Sequence, residues 1–140
     1  MKILLPVDGS KYTRRMLAHV AAHDELLGAQ HEYWLFTAVP RLSSRAAAFF
    51  DRVTLDEYYR DEAEKVLRAP RAFAQKQGWT VHSAHAAGHA AEEIAAFARA
   101  RRVGLIVMGT HGHSALANAV LGSVTQGVLA RCRQPLLLVR

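Results

Sequence analysis

Two stretches of this chain carry residue types suited to holding an anion. Gly109-Thr110-His111-Gly112-His113-Ser114 follows a strongly apolar run, and Gly122-Ser123-Val124-Thr125 opens a later helical pattern. Glycines let backbone N–H groups approach a phosphate with no side chain in the way. A helix start adds unpaired N–H donors and the positive end of the peptide dipole. Ser123 and Thr125 bring hydroxyls to the same turn. The same residues also suit an ordinary strand-to-helix connection, with Gly109 in a tight turn and Ser123 as the cap. Asp8, a lone carboxylate after the first apolar run, serves either as a turn cap or as an acceptor facing a ligand.

Other chemistries are poorly supplied. The chain has 8 histidines, of which His19 and His23 stand at a metal-ligand spacing on one helix face. They have no third ligand nearby in sequence, so a solvated face is the expectation and no metal site is assigned. His82 and His85 fall on opposite faces of a strand because their separation is odd. His111 and His113 lie inside the glycine-rich loop, where either contact with an anion or a surface position is open. Cys132 lacks an obvious activating partner and reads as packing rather than as a nucleophile. A P-loop lysine, a nucleophile elbow and a cluster of acids are all missing from the sequence. Phosphoryl transfer needs a positioned base and a cationic clamp. No catalytic residue is assigned, and binding without efficient turnover is expected.

The elements that must position these residues can be read from periodicity. Lys2 to Val7 is a short, nearly continuous apolar run ended by Asp8-Gly9-Ser10, as a strand buried on both faces would be. Ser10 caps a helix whose Met16, Leu17, Val20, Ala21 and Leu27 recur at helical spacing before Gly28. Tyr33 to Val39 is the second strand, closed by Pro40. The segment from Arg41 to Val53 stays open, either a short helix or a flap. Thr54 and Glu57 have capping-box spacing and predict a helix running to Gly78, with a kink or break near Arg68-Ala69 caused by Pro70. Trp79 to Ala86 is a third strand. Ala90 to Arg102 is a helix with Ile94, Phe97 and Ala98 inward and Glu92-Glu93 near its positive end. Gly104 to Met108 is a fourth strand, Gly122 to Arg133 a helix, and Leu136 to Val139 a last strand.

Strands alternating with helices predict an α/β fold, a doubly wound five-stranded parallel sheet covered on both faces. If the first three strands wind one way and the last two the other, the order is 3-2-1-4-5. Ligands of such sheets sit beyond the carboxyl ends of the strands where the winding reverses. The loops that meet there begin at Asp8 and Gly109.

Composition narrows the partners. The 140 residues are 51% hydrophobic and 21% charged, enough for one domain over residues 1–140 with its own core. Apolar runs are strand-length, far short of the roughly 20 residues of a membrane span. The N-terminus reaches Asp8 too soon for a signal peptide, and the single cysteine fits a reducing cytoplasm. The net charge of +6 raises nucleic acid as a partner, but residues 88–140 carry 6 basic and 2 acidic side chains against 12 and 10 before them. No basic run exceeds two residues and aromatics are not interleaved with them, so a nucleic-acid partner is not expected. The apolar last strand sits at the sheet edge, which calls for a cover or a partner strand.

The spacing Gly109-x2-Gly112-x9-Gly122-Ser123 resembles the nucleotide-binding signature of the universal stress protein family. Leu105 to Gly112, Pro6-Val7-Asp8-Gly9-Ser10 and Ala91-Glu92-Glu93-Ile94 extend the resemblance along the whole chain. It implies a flavodoxin-like (adenine nucleotide alpha hydrolase-like) fold that, in members with this glycine pattern, binds ATP, with Mg²⁺ as an accompanying ion. Pro6, Val7, Asp8, Ala38 and Val39 would then line adenine and ribose. Met108, Gly109, Gly112 and His113 would pass beside sugar and phosphates, and Gly122, Ser123, Val124 and Thr125 would hold the phosphate tail. The resemblance also implies a cytoplasmic homodimer through Leu136 to Val139, with a role in stress response.

There are departures from that pattern. His113 and Asn118 stand where many members have basic residues, and the stretch between Gly112 and Gly122 has no Lys or Arg. Phosphate charge must then be met by backbone dipoles, a metal or an Arg from elsewhere. His89 replaces the proline or acid often found at the start of its helix. Two alternatives accompany the nucleotide-binding module: a dimer with an empty pocket that acts through protein interaction, and a slow ATP hydrolase.

Overall fold

A computed structural model of the protein describes residues 1–113, 118 and 120–140. Ser114 to Ala117 and Ala119, within the connection expected after the fourth strand, lie outside the described residues. Strands β1 (Lys2–Pro6), β2 (Glu32–Val39), β3 (Thr80–Ala87), β4 (Leu105–Gly109) and β5 (Leu136–Val139) form one parallel sheet in the order β3-β2-β1-β4-β5. The helices are α1 (Lys11–Ala22), α2 (Asp24–Leu27), α3 (Ser44–Ala47), α4 (Arg52–Lys76), α5 (Ala90–Ala100) and α6 (Ser123–Arg131). The expected order and winding reversal are both present, with β1 paired to β2 on one side and β4 on the other.

Side-chain alternation along the strands divides the core in two. Ile3 and Leu5 face α1 and α4, packing with Met16, Val20, Tyr33, Leu35, Leu67 and Trp79. Leu4 faces the other way, toward Phe36, Ile94, Ala98, Ile106 and Val128 from the α5 and α6 side. Ser10 caps α1 as expected, its hydroxyl accepting from the Thr13 N–H. α1 stops at Ala22, however, and Leu27 belongs to a separate short turn ended by Gly28.

Two further local expectations need correction, and the open segment takes one of its two forms. The open segment holds a short helix, α3, capped by Ser43. The long helix begins at Arg52 rather than Thr54, because Asp51 is the cap: its Oδ1 accepts from the Thr54 N–H at 2.7 Å. That hydrogen bond holds the Asp51 carboxyl below the usual range, and a carboxylate satisfies both the free donor and the positive helix end. Nor does Pro70 break the helix, which continues to Lys76. Leu67, Pro70 and Ala74 are buried on one face, and that apolar packing offsets the roughly 3 kcal/mol cost of an internal proline.

Candidate functional site

At the carboxyl ends of β1 and β4 the chain forms a cavity of about 240 Å³. Its β1 wall is Pro6, Val7 and Asp8. Asp8 Oδ1 accepts from the Ser10 N–H and the Thr13 hydroxyl, both at 2.9 Å, while the Asp8 N–H donates to Thr13 Oγ1 at 3.1 Å. One carboxylate oxygen is thus committed to the turn. The other, Oδ2, lies against Gly112, so close that any Cβ there would collide with it. The turn-cap reading of Asp8 is therefore met by Oδ1, and its second oxygen stands beside the loop after β4.

The loop after β4 is closed by its own ends. The Gly122 N–H donates to the Thr110 carbonyl at 2.7 Å. The Thr125 hydroxyl, from the first turns of α6, donates to the carbonyls of Gly109 and Thr110 at 3.1 and 3.2 Å. These bonds hold the α6 start beside the end of β4. Gly122 is the N-cap and makes no side-chain cap, so Ser123 is the first helical residue and not the cap. Ser123 is exposed, and its hydroxyl has no hydrogen-bond partner among the described residues. Ser123, Val124 and Thr125, the first residues of α6, border the cavity, and that turn holds no acidic residue.

His113 ties the loop to the β1 turn. Its Nε2 donates to the Asp8 carbonyl at 2.6 Å, which places the ring proton on Nε2. His111 lies 5.2 Å from the Tyr12 ring, centroid to centroid, and its Nδ1 is 3.0 Å from Thr110 Oγ1. Lys11 and Arg15 stand over the same Tyr12 ring at 5.3 and 5.7 Å.

Of the residues singled out from sequence, Pro6, Val7, Asp8, Ala38, Met108, Gly109, Gly112, His113, Gly122, Ser123, Val124 and Thr125 all border this cavity. Val39 does not: one step beyond Ala38, it points into the α1 and α4 side of the core. Sequence reasoning missed Thr13, Phe36, Thr37, Ala90 and Ile94, and weighed His111 without placing it. Phe36 was recoverable, because it shares a strand face with Ala38. Ile94 was legible as an inward helix position, but nothing local shows that the α5 start overhangs the switch point.

The other singled-out residues, His19, His23, His82, His85 and Cys132, do not line this cavity. The His19 and His23 rings lie 4.1 Å apart, with His23 Nδ1 bonded to the His19 carbonyl at 2.8 Å. His82 stacks on Trp34 at 4.6 Å. Burial pushes the Cys132 thiol up, with Arg99 opposing weakly, and a protonated thiol is a poor nucleophile. No helix among the described residues is long and apolar enough to cross a membrane.

A doubly wound sheet with a glycine-lined cavity at its winding reversal defines the class of α/β domain that receives small ligands at its switch point. Comparison with known proteins makes this specific. The universal stress protein family model matches residues 1–140, and the chain belongs to that family. A universal stress protein of Thermus aquaticus is 33% identical over 147 residues, covering 99% of this chain and 97% of that one. Among solved structures, MJ0577 superposes with a TM-score of 0.78 at 28% identity, covering 99% of this chain and 94% of that one; it is a universal stress protein of Methanocaldococcus jannaschii. Two further universal stress proteins share the fold at lower identity. One, from Archaeoglobus fulgidus, was solved with dAMP (18% identical, TM-score 0.68, covering 100% and 98%) and another with cAMP (19%, 0.66, covering 100% and 96%).

Proposed function

We propose that this chain acts as one domain that binds an adenine nucleotide, ATP in the first instance, as a nucleotide-responsive module of the stress response in the cytoplasm. The observation that carries the reading is the cavity itself. Phe36, Ala38, Ile94, Met108 and Val124 supply an apolar slot for a planar base, and the α6 start supplies backbone N–H groups for phosphates. The complexes of related proteins with dAMP and cAMP support an adenine nucleotide. Asp8 is the only carboxylate among the described lining residues. Its Oδ2 and the Ser123 hydroxyl are the side-chain oxygens suited to a ribose or to Mg²⁺ held chiefly by the phosphates.

Titration calorimetry with ATP, ADP and AMP, with and without Mg²⁺, tests the reading, together with mass spectrometry of ligand retained through purification. Saturable heat is expected. Silence with all three nucleotides at millimolar concentration would instead leave a module that works through protein contacts alone. Sustained phosphate release that disappears in Asp8→Asn or Ser123→Ala would make it a slow hydrolase.

The reading includes a homodimer through β5. That strand pairs with β4 alone and is the last in the sheet. The carbonyls of Pro135 and Val139 accept from the N–H groups of Ile106 and Thr110 at 2.9 and 3.0 Å. In a parallel ladder this turns the backbone of Leu136 and Leu138 to the open edge. Leu138→Pro deletes an outward N–H without touching the β4 ladder. The variant is expected to run as a monomer in sizing experiments at concentrations where the parent chain is a dimer. A dimer that survives the substitution, or a parent chain that is monomeric at every concentration, would remove β5 from the interface.

A further inference from the structure

We propose that a second cavity, beyond the carboxyl ends of β2 and β3, is a binding site for a free α-amino acid with a large apolar side chain. It measures about 620 Å³ and shares no described lining residue with the cavity at the winding reversal. The two are neighbours, since Ala86 of the second pairs in register with Ala38 of the first. The chain after β2 supplies Arg41 and Leu42, the first turns of α4 supply Arg52, Asp56 and Tyr59, and Glu93 borders the cavity from α5. Leu55 and Ala87, half-buried against the α4 side of the core, give it an apolar wall.

The charges around this cavity are balanced but unpaired. Two guanidiniums, Arg41 and Arg52, and two carboxylates, Asp56 and Glu93, line it, and none of the four makes an ion pair or a side-chain hydrogen bond with another described residue. The Tyr59 hydroxyl adds a donor. Tyr59 is only 9% exposed, and its oxygen accepts from the Leu42 N–H at 3.0 Å. The phenolic O–H itself has no acceptor among the described residues. A hydroxyl both accepts and donates, and a buried donor left without an acceptor carries a desolvation cost that a ligand oxygen removes. A bare anion would suit the guanidiniums and Tyr59 but meet repulsion from Asp56 and Glu93, and a bare amine would meet the reverse. A zwitterion answers both signs. Its carboxylate takes the planar donor forks of Arg41 and Arg52 and the Tyr59 O–H. Its ammonium takes Asp56 and Glu93, and its side chain lies on Leu55 and Ala87.

Calorimetry of the intact protein with L-phenylalanine, hydrocinnamate and phenethylamine tests the site, and amide NMR shifts locate it. L-Phenylalanine is expected to bind saturably and to shift the Leu42 amide, whose N–H is bonded to Tyr59. Hydrocinnamate, which lacks the amine, and phenethylamine, which lacks the carboxylate, should each bind about tenfold more weakly. Arg41→Gln, Arg52→Gln and Tyr59→Phe should each weaken L-phenylalanine by about the same factor. Arg41 and Arg52 are exposed and cap no helix, so their variants should keep the parent's melting curve. Asp56→Asn combined with Glu93→Gln should raise affinity for hydrocinnamate while lowering that for L-phenylalanine, a reversal that a merely structural role does not produce. No binding of L-phenylalanine or L-leucine at millimolar concentration would overturn the proposal. So would hydrocinnamate binding as tightly as L-phenylalanine, affinity unchanged in both arginine variants, or shifts confined to the loop after β4. Nucleotide binding is measured separately with ATP, so either reading can fail while the other stands.

Discussion

Replacing Gly122 with valine is expected to weaken ATP binding at least 100-fold, about 2.7 kcal/mol, while the protein remains folded. The cap has φ −68° and ψ 159°, a backbone conformation open to any residue, so the effect does not come from strain at position 122 itself. It comes from lack of room. A Cβ there would stand 3.1 Å from His111 Cα and 3.3 Å from the Thr110 carbonyl oxygen, and valine adds two methyl groups to that contact. The loop must move away from α6, loosening the Gly122 N–H to Thr110 bond and the two Thr125 bonds that hold the N–H groups of the helix start in place. Misaligned donors lose the geometric benefit of a preformed anion site. Alanine, which brings the 3.1 and 3.3 Å contacts without the two further methyl groups, should fall between glycine and valine. Calorimetry with ATP, paired with a melting curve, measures both halves of the prediction; undiminished affinity in Gly122→Val would place the nucleotide outside this loop.

Tyr33→Ala should cost about 3–5 kcal/mol of folding stability, the range for deleting a large buried aromatic. Tyr33 is fully buried, and its ring stacks on Trp79 at 4.6 Å. Its hydroxyl donates to the carbonyls of Leu27 and Gly28 at the end of α2, satisfying acceptors that the helix end leaves free. Tyr33→Phe separates the two contributions: the ring remains, and loss of the hydroxyl alone costs about 1–3 kcal/mol. The pair also differ in alkali. Burial pushes the Tyr33 phenol up to about 12 from an ordinary value of 10.0. The folded state therefore keeps a proton that the unfolded chain gives up, so this contribution is complete below pH 10 and is lost as pH rises toward 12. Urea unfolding at pH 8 and pH 11 should show the parent losing more stability than Tyr33→Phe. Equal losses would mean that the phenol is not protected by the fold.

How legible the site was depended on the distance over which each feature is decided. The glycines at 109, 112 and 122 and the carboxylate at 8 could be found because strand endings and helix starts announce themselves through local residue types. Thr13 could not, since its role depends on the turn folding its hydroxyl back onto Asp8. The family resemblance implies that Val39 lines the cavity with Ala38, yet the two-residue period of a strand points it to the opposite layer. At the start of α4, Thr54 and Glu57 matched a capping pattern, and Asp51, three residues earlier, supplied the better acceptor. Pro70 was judged by its backbone cost alone, without the apolar face that compensates it.

From the sequence alone, periodicity and turn chemistry determine five strands and the main helices between them, and parallel crossovers leave few topologies open, of which the structure has the order β3-β2-β1-β4-β5. The glycine pattern also marks where an anion would be received. Only the tertiary structure decides what each group at that place is free to do. Pairing β4 beside β1 brings Gly112 against Asp8 and His113 onto the Asp8 carbonyl, across more than a hundred residues of chain. It commits the Thr125 hydroxyl to loop carbonyls and leaves that of Ser123 exposed beside the cavity. The physical reason is that residue type sets which hydrogen bonds a group is able to make, whereas the packing of distant strands sets which partners lie within reach.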